Sequence, residues 1–204
     1  LRQAIDLQVE HISAYHLIYE EDTPIYSMLK QHQVCEVDEE SSLEFFTLLI
    51  EQLQKAGFEQ YEISNFCRPG KHSRHNTSYW KGIPYLGCGA SAHSFDGTTR
   101  EWNVSSIDLY IIGIEENRRA FEIEHLDPTT RYNEFIITTM RTAWGTPLEQ
   151  LKKTFGKERW EYCLNMAAPY LQSGKLEERN GALCLTREGI FVSDSIMSDL
   201  LWVD

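Results

Sequence analysis

Between Val9 and Tyr19 the chain reads VEHISAYHLIY, with apolar and polar residues alternating at a period of two, which predicts a strand that runs into a ligand-bearing loop. The polar, turn-rich stretch EEDTPIYSMLKQHQVCEVDEES follows as an extended segment. The period then changes. In LEFFTLLIEQLQKAG, Leu43, Phe46, Leu49, Ile50 and Leu53 share one helical face, and Gly57 supplies a C-terminal stop. FEQYEIS, from Phe58 to Ser64, returns to strand character, so strand, helix and strand predict one right-handed βαβ crossover in a parallel sheet. No helical pattern follows it. NFCRPGKHSRHNTSYWKG predicts a long loop, and IPYLGCGASAHSF a short buried strand whose small residues permit close backbone approach. Thr98 to Asn103 predicts an edge strand.

Beyond Ser105, charges mix with short helical patterns as far as HLDPTT, where Asp127 and Pro128 mark a boundary. The expected organisation is a first domain over residues 1–110, a linker over 111–128 and a second domain over 129–204. In the second, RYNEFIITTMRTAW is helical, and a second helix starts at Thr146 as N-cap with Pro147 in its first turn and Glu149 after it, ending at Gly156. Lys157 to Ser173 forms a third helix carrying Trp160, Leu164, Ala167 and Leu171 inward. KLEERNGALCLT is a hairpin around Asn180-Gly181, a type I′ turn signal, and REGIFVSDSIMSDLLW closes with a helix. Helices plus a β-wing define a small α+β winged-helix-like module.

Composition narrows the class. Of 204 residues, 42% are apolar and 25% charged, as in soluble globular chains, and no apolar run approaches the roughly 20 residues that span a bilayer. Cys35, Cys67, Cys88, Cys163 and Cys184 are odd in number and widely spaced, and no secretory-type leader opens the sequence, which points to a reducing cytoplasm. None of them has metal-ligand spacing, so no zinc or iron-sulfur cluster is expected on these thiolates. Lysine and arginine number 19 against 31 acids, a net charge of -12 that repels polyanions unless positive charge is concentrated locally.

Such a concentration exists. Arg68, Lys71, Arg74 and Lys81, with His72 and His75, lie in a stretch containing no acid. A solvated loop of chance composition would look the same. Tyr79 and Trp80 favour a site, because stacking faces, cations and a neutral imidazole at His75 together suit a flat aromatic carboxylate that binds iron, which describes a porphyrin. His93, in GASAHS, falls where ligands gather at the C-terminal ends of parallel strands, although taken alone it reads better as a structural histidine. A metal hydrolase would have to recruit His72, His75, His93 and Asp96, which have no recognised ligand spacing. Cys88 reads as a small buried filler rather than a nucleophile. A DNA-binding role for the winged-helix-like module is disfavoured, because Glu158 and Glu161 lie on the helix that would enter the groove and Glu177 and Glu178 on the wing.

From Tyr61 to Phe95, YEISNFCRPGKHSRHNTSYWKGIPYLGCGASAHSF resembles the HemW branch of the oxygen-independent coproporphyrinogen III oxidase family of radical S-adenosylmethionine proteins. HISAYHLIYEEDTP, His11 to Pro24, is similar to a late barrel segment of that family, with Cys67 standing where alanine is common, and LTREGIFVSD, Leu185 to Asp194, resembles its C-terminal domain. The resemblance implies an α/β fold: the C-terminal portion of a partial (β/α) barrel, followed by the winged-helix-like domain. It implies S-adenosylmethionine and a four-iron four-sulfur cluster whose Cys-x-x-x-Cys-x-x-Cys ligands lie outside this sequence, so that the chain by itself is expected to be inactive as an enzyme.

Two activities are implied. Family oxidases decarboxylate coproporphyrinogen, whereas HemW-like members are regarded as haem chaperones that deliver haem to partner proteins. The family's HNxxYW haem motif falls on His75, Asn76, Tyr79 and Trp80, and the barrel mouth beside S-adenosylmethionine on Gly87, Gly89, Ala92 and His93, with His16 as a second mouth residue. His75 is the implied iron ligand. The expected partners are haem or porphyrin and haem-accepting proteins, with no nucleic acid and membrane association only through partners.

Overall fold

The computed structural model describes residues 1–203, and the chain divides into two compact units, Leu1–Ser73 and the remainder from Arg74. The first contains α1 (Arg2–Asp6), β1 (His11–Ser13), α2 (Pro24–Lys30), α3 (Glu39–Lys55), β2 (Glu59–Glu62) and β3 (Asn65–Cys67). Helix α3 forms as its pattern implies. The Asp38 carboxylate accepts the Ser41 backbone N–H at 2.8 Å, Glu39 and Glu40 sit in the positive first turn, and Lys55 sits in the last. Phe46, Ile50 and Leu53, spaced i, i+4, i+7, are buried with Phe58, Tyr61, Phe66 and Cys67. Leu43, although on the same expected face, is exposed.

The sheet corrects the expected crossover. Its order is β1-β3-β2, and β1 and β2 are each antiparallel to β3, with His11 and Glu59 both opposite Cys67. The two strands flanking α3 therefore run in one direction, as a crossover requires, but are not hydrogen-bonded to each other. Glu62 explains why. Its buried carboxylate accepts the Ser64 backbone N–H at 3.0 Å and the Asn65 side-chain amide. This turns the chain back at once, and the wholly buried NFC segment becomes the central strand. The alternation from Val9 to Tyr19 yields strand only over His11–Ser13; Tyr15, Leu17 and Ile18 are exposed. Within the segment read as extended, Thr23 caps α2 and Pro24 occupies its first turn.

The second unit opens with α4 (Arg74–Trp80), inside the stretch expected to be a long loop. There follow β4 (His93–Phe95), β5 (Thr99–Asn103), α5 (Ile107–Glu115) and β6 (Phe121–His125), an antiparallel sheet of order β4-β5-β6. Thr99–Asn103 is thus the central strand rather than an edge. IPYLGCGASAHSF is not a buried strand: only His93–Phe95 pairs along β5, Tyr85 makes a single bridge to Phe95, and Leu86 and Cys88 are exposed. Its glycine content serves close approach at one point, since a Cβ on Gly87 would lie 2.1 Å from the His93 carbonyl oxygen. The stretch 111–128, expected as a linker, contains the end of α5 and all of β6, which pairs with β5 over five residues.

The remainder is α6 (Pro128–Met140), β7 (Thr146–Pro147), α7 (Leu148–Gln172), β8 (Leu176–Arg179), β9 (Ala182–Leu185), α8 (Arg187–Ile190) and α9 (Ser193–Leu200). Asp127 caps α6 by accepting the Thr130 N–H at 2.8 Å. Thr146 does not cap α7; it sits in β7 opposite Leu183 and shares its hydroxyl with Thr139 at 2.8 Å. At Gly156, φ 85° and ψ 174° break α7 into two helical segments, so the glycine ends the first segment where the pattern placed its end. Asn180 (φ 53°) and Gly181 (φ 76°) provide the two left-handed residues of the β8–β9 hairpin. Tyr132, Ile136, Met140, Leu151, Leu183, Ile196 and Leu200 fill the core. The Tyr132 hydroxyl donates to the Leu200 carbonyl at 3.1 Å, and Asn133 exchanges two hydrogen bonds with the Trp202 backbone, at 2.8 and 3.1 Å.

Candidate functional site

Helix α4 sets its side chains by helical spacing. His75 and Tyr79, four residues apart, share a face, and their rings meet edge to face at 4.9 Å. His75 is exposed. Tyr79 in turn contacts Tyr85 at 4.8 Å, and Tyr85 contacts Phe95 at 6.1 Å, so an aromatic series leads from the histidine to the β-sheet. Trp80 lies under the Arg141 guanidinium, 4.7 Å from the ring centroid. Its Nε1 and the Thr77 hydroxyl are buried without a hydrogen-bond partner among the described residues, an arrangement that costs stability unless something else satisfies it.

Tyr79, Trp80 and Tyr85 lie on the wall of a cavity of about 630 Å³ within the second unit. Phe95 and Arg100 extend this wall, and across from them stand α6, the Trp144–Pro147 turn and the first segment of α7. Arg131, Glu134, Phe135, Thr138 and Thr139 form the α6 contribution, with Thr142 just beyond the helix; Arg131, Phe135 and Thr138 fall at i, i+4 and i+7, a stripe distinct from the core-facing Tyr132, Ile136 and Met140. Phe155 packs against Phe135 at 5.3 Å. Arg100 donates to Glu134 at 2.7 Å and lies 3.4 Å from Glu124. Burial pushes the Tyr85 phenol above its ordinary pKa. His75 and Asn76 do not line this cavity.

The glycine-rich residues form a separate group in the same unit. Buried Asn103 donates through Nδ2 to the Gly89 carbonyl at 2.9 Å, and the Gly89 N–H donates to the Tyr110 hydroxyl at 3.0 Å. The Ala92 carbonyl accepts the Asn103 backbone N–H at 3.0 Å, and Gly87 donates to the Ser94 hydroxyl at 3.0 Å. His93 stacks on Trp102 at 5.8 Å beside a smaller cavity of about 430 Å³. Asp96 accepts the N–H groups of Thr98 and Thr99 at 2.8 and 2.7 Å, which holds its carboxyl far below the usual range and commits it to the β4–β5 turn.

In the first unit, His16 is exposed, its Nδ1 3.1 Å from the Ser42 hydroxyl and its ring edge-on to Phe46 at 5.3 Å. The cations read there as an anion site are engaged. Arg68 donates to the Ala56 carbonyl and stacks over Phe58 at 4.2 Å, while Lys71 pairs with Glu10 at 2.8 Å. His72 meets Tyr61 edge to face at 4.8 Å. No group of three or more His, Cys, Asp or Glu side chains is placed to hold a metal ion among the described residues. Sequence reasoning missed Tyr85, Phe95, Arg131, Phe135, Trp144 and Phe155; the second stripe on α6 was the available signal.

A fold of this kind has a solved counterpart. Coproporphyrinogen III oxidase HemN of Escherichia coli, described as a radical SAM enzyme, superposes with a TM-score of 0.71 at 14% identity, over 98% of this chain and 50% of that one, a likeness of fold alone. A family model, the HemN C-terminal domain, matches residues 126–192, the segment that carries α6 to α8. The chain is 31% identical over 97% of its length to the heme chaperone HemW of Mycobacterium tuberculosis, covering 49% of it. It is 27% identical over 98% of its length to that of Bacillus subtilis, covering 53%. The chain thus spans about half the length of these curated relatives. Residues 126–192 match the HemN C-terminal domain, and nearly the whole chain is similar to about half of a HemW protein.

Proposed function

We propose that the protein handles porphyrin as a haem chaperone of the HemW type, binding haem and passing it to haem-accepting proteins in the cytoplasm. The observation that carries this reading is α4, where an exposed imidazole at His75 rests on Tyr79 at the end of an aromatic series. Two relatives matching nearly the whole chain are named haem chaperones. Haem enters as cargo. His75 offers a nitrogen ligand to its iron, Tyr79 fixes the imidazole plane through the edge contact, and Trp80 holds the C-terminal end of α4 through Arg141. The open position of His75 suits transfer, because an exposed ligand leaves the opposite face of the macrocycle accessible to an acceptor.

The likeness to HemW proteins also implies S-adenosylmethionine and a four-iron four-sulfur cluster, which supplies one-electron chemistry when bound. Asn103 and Tyr110 anchor the glycine-rich segment and would order that face of the S-adenosylmethionine site. No helix among the described residues is long and apolar enough to cross a membrane. Haem titration followed by absorbance tests the reading. His75→Ala is expected to shift the Soret band and weaken binding by about tenfold or more, whereas His32→Ala is expected to change neither. An unchanged spectrum and affinity in a folded His75→Ala protein would remove His75 as the ligand.

A further inference from the structure

The 630 Å³ cavity falls within the usual small-molecule range of about 300–1,000 Å³ and combines an aromatic wall with local positive charge. Its walls are aromatic: Tyr79, Tyr85, Phe95, Phe135, Trp144 and Phe155. Its charge is positive, although the chain carries a net charge of -12. Lys81, Arg100 and Arg131 line it against a single carboxylate, Glu134, which Arg100 binds. That pairing, with Glu124 at 3.4 Å, neutralises Arg100. Among the described residues the Lys81 ammonium is engaged by the Trp144 ring, 5.3 Å away. The Arg131 guanidinium, partly buried on α6, makes no ion pair or hydrogen bond among the described residues. A guanidinium on a cavity wall with no carboxylate partner among the described residues offers an incoming carboxylate paired, charge-assisted hydrogen bonds. No His, Cys or Met lines the cavity, and burial holds the Tyr85 phenol in its protonated form, which is a poor iron ligand.

We infer that this cavity is a second, metal-independent recognition site for the porphyrin, which it accepts carboxylate edge first, with Arg131 as the anchoring cation and Lys81 as its auxiliary. The inference rests on the porphyrin reading above and adds to it: His75 reads the iron, and the HemN C-terminal domain, through α6, reads the propionate edge. A molecule with flat apolar faces and a carboxylate rim meets both wall and charge, whereas an esterified macrocycle meets only the wall.

The test uses metal-free protoporphyrin IX and its dimethyl ester as probes, followed by porphyrin fluorescence, with haem titrated in parallel. The wild-type protein is expected to bind the free acid about tenfold more tightly than the ester, a comparison that needs no variant. Arg131→Gln should weaken free-acid binding by a similar factor and leave ester binding unchanged, Arg131→Lys should restore most of the loss, and His75→Ala should weaken haem but not the metal-free acid. Equal affinity for acid and ester, or an Arg131→Gln protein that binds the acid as wild type while haem still depends on His75, overturns the inference and leaves the chaperone reading standing. A wild-type protein that binds neither haem nor protoporphyrin overturns both.

Discussion

The two units treat the same kinds of side chain differently. In the first, every group that looked available is engaged internally: Arg68 by Ala56 and Phe58, Lys71 by Glu10, and His11 by the Tyr61 hydroxyl at 2.8 Å, with His72 edge-on to the same tyrosine. In the second, His75 is exposed on Tyr79, and Arg131 faces a cavity with no counter-ion among the described residues. A cationic stretch in a sequence is therefore only a supply of charge. What makes a site is charge left uncommitted after local packing and held beside a cavity, as Arg131 is in the second unit.

The cores differ as well. The first unit packs one helix, α3, on a three-stranded sheet, while the second surrounds α6 with α7, α9 and the β7-β9-β8 sheet. The largest expected effect is at Gly145, where φ is +69° and a Cβ would lie 2.2 Å from the Leu183 carbonyl oxygen. Gly145→Ala sets a methyl group against the Leu183 backbone beside the cavity and should cost more than about 4 kcal/mol, seen as a collapse of the melting temperature. Next come Ile136→Ala and Phe66→Ala, each of which should cost about 2–5 kcal/mol. Hydrogen exchange should localise Ile136→Ala to peptides after Ser73 and Phe66→Ala to those before Arg74. Loss of protection across both units from either change would break the comparison.

Thr186→Ala removes the hydroxyl that accepts the Gly189 N–H at 3.1 Å and should cost about 1 kcal/mol, read from denaturant unfolding. The smallest effect is a pH dependence in the first unit. Burial, and then the neighbouring His72, hold the His11 pKa below its ordinary value near 6.5. Between the depressed folded value and 6.5 the unfolded state binds more protons, so stability rises with pH there and is lost as pH falls below about 6.5. His11→Gln should flatten that slope in first-unit exchange, with second-unit exchange unaffected.

Much of this was legible in the sequence. Helix α3, the break at Gly156 and the Asn180-Gly181 hairpin follow from local rules, because their apolar spacing and left-handed positions are written in consecutive residues. The parallel pair was misjudged because the turn at Glu62 depends on a buried carboxylate finding Ser64 and Asn65, which periodicity does not register. Thr146 looked like a cap because the Leu183 strand that claims it lies 37 residues away in sequence. At the candidate site, the HNxxYW residues could be picked out, but α4 reads as loop, being only seven residues long and without an apolar stripe. The cavity was invisible for another reason. Its α6 wall interleaves with the core-facing stripe of the same helix, and only the fold shows which of the two faces finds a partner.

Hydrogen exchange of the protein with and without saturating haem tests the central claim most directly. Slower exchange is predicted in peptides covering Arg74–Trp80 and in those carrying Arg131, Phe135 and Phe155, with no change over His11–Tyr19. Protection confined to the His16 segment, or a haem complex that leaves α4 and α6 exchanging as in the free protein, would contradict the account.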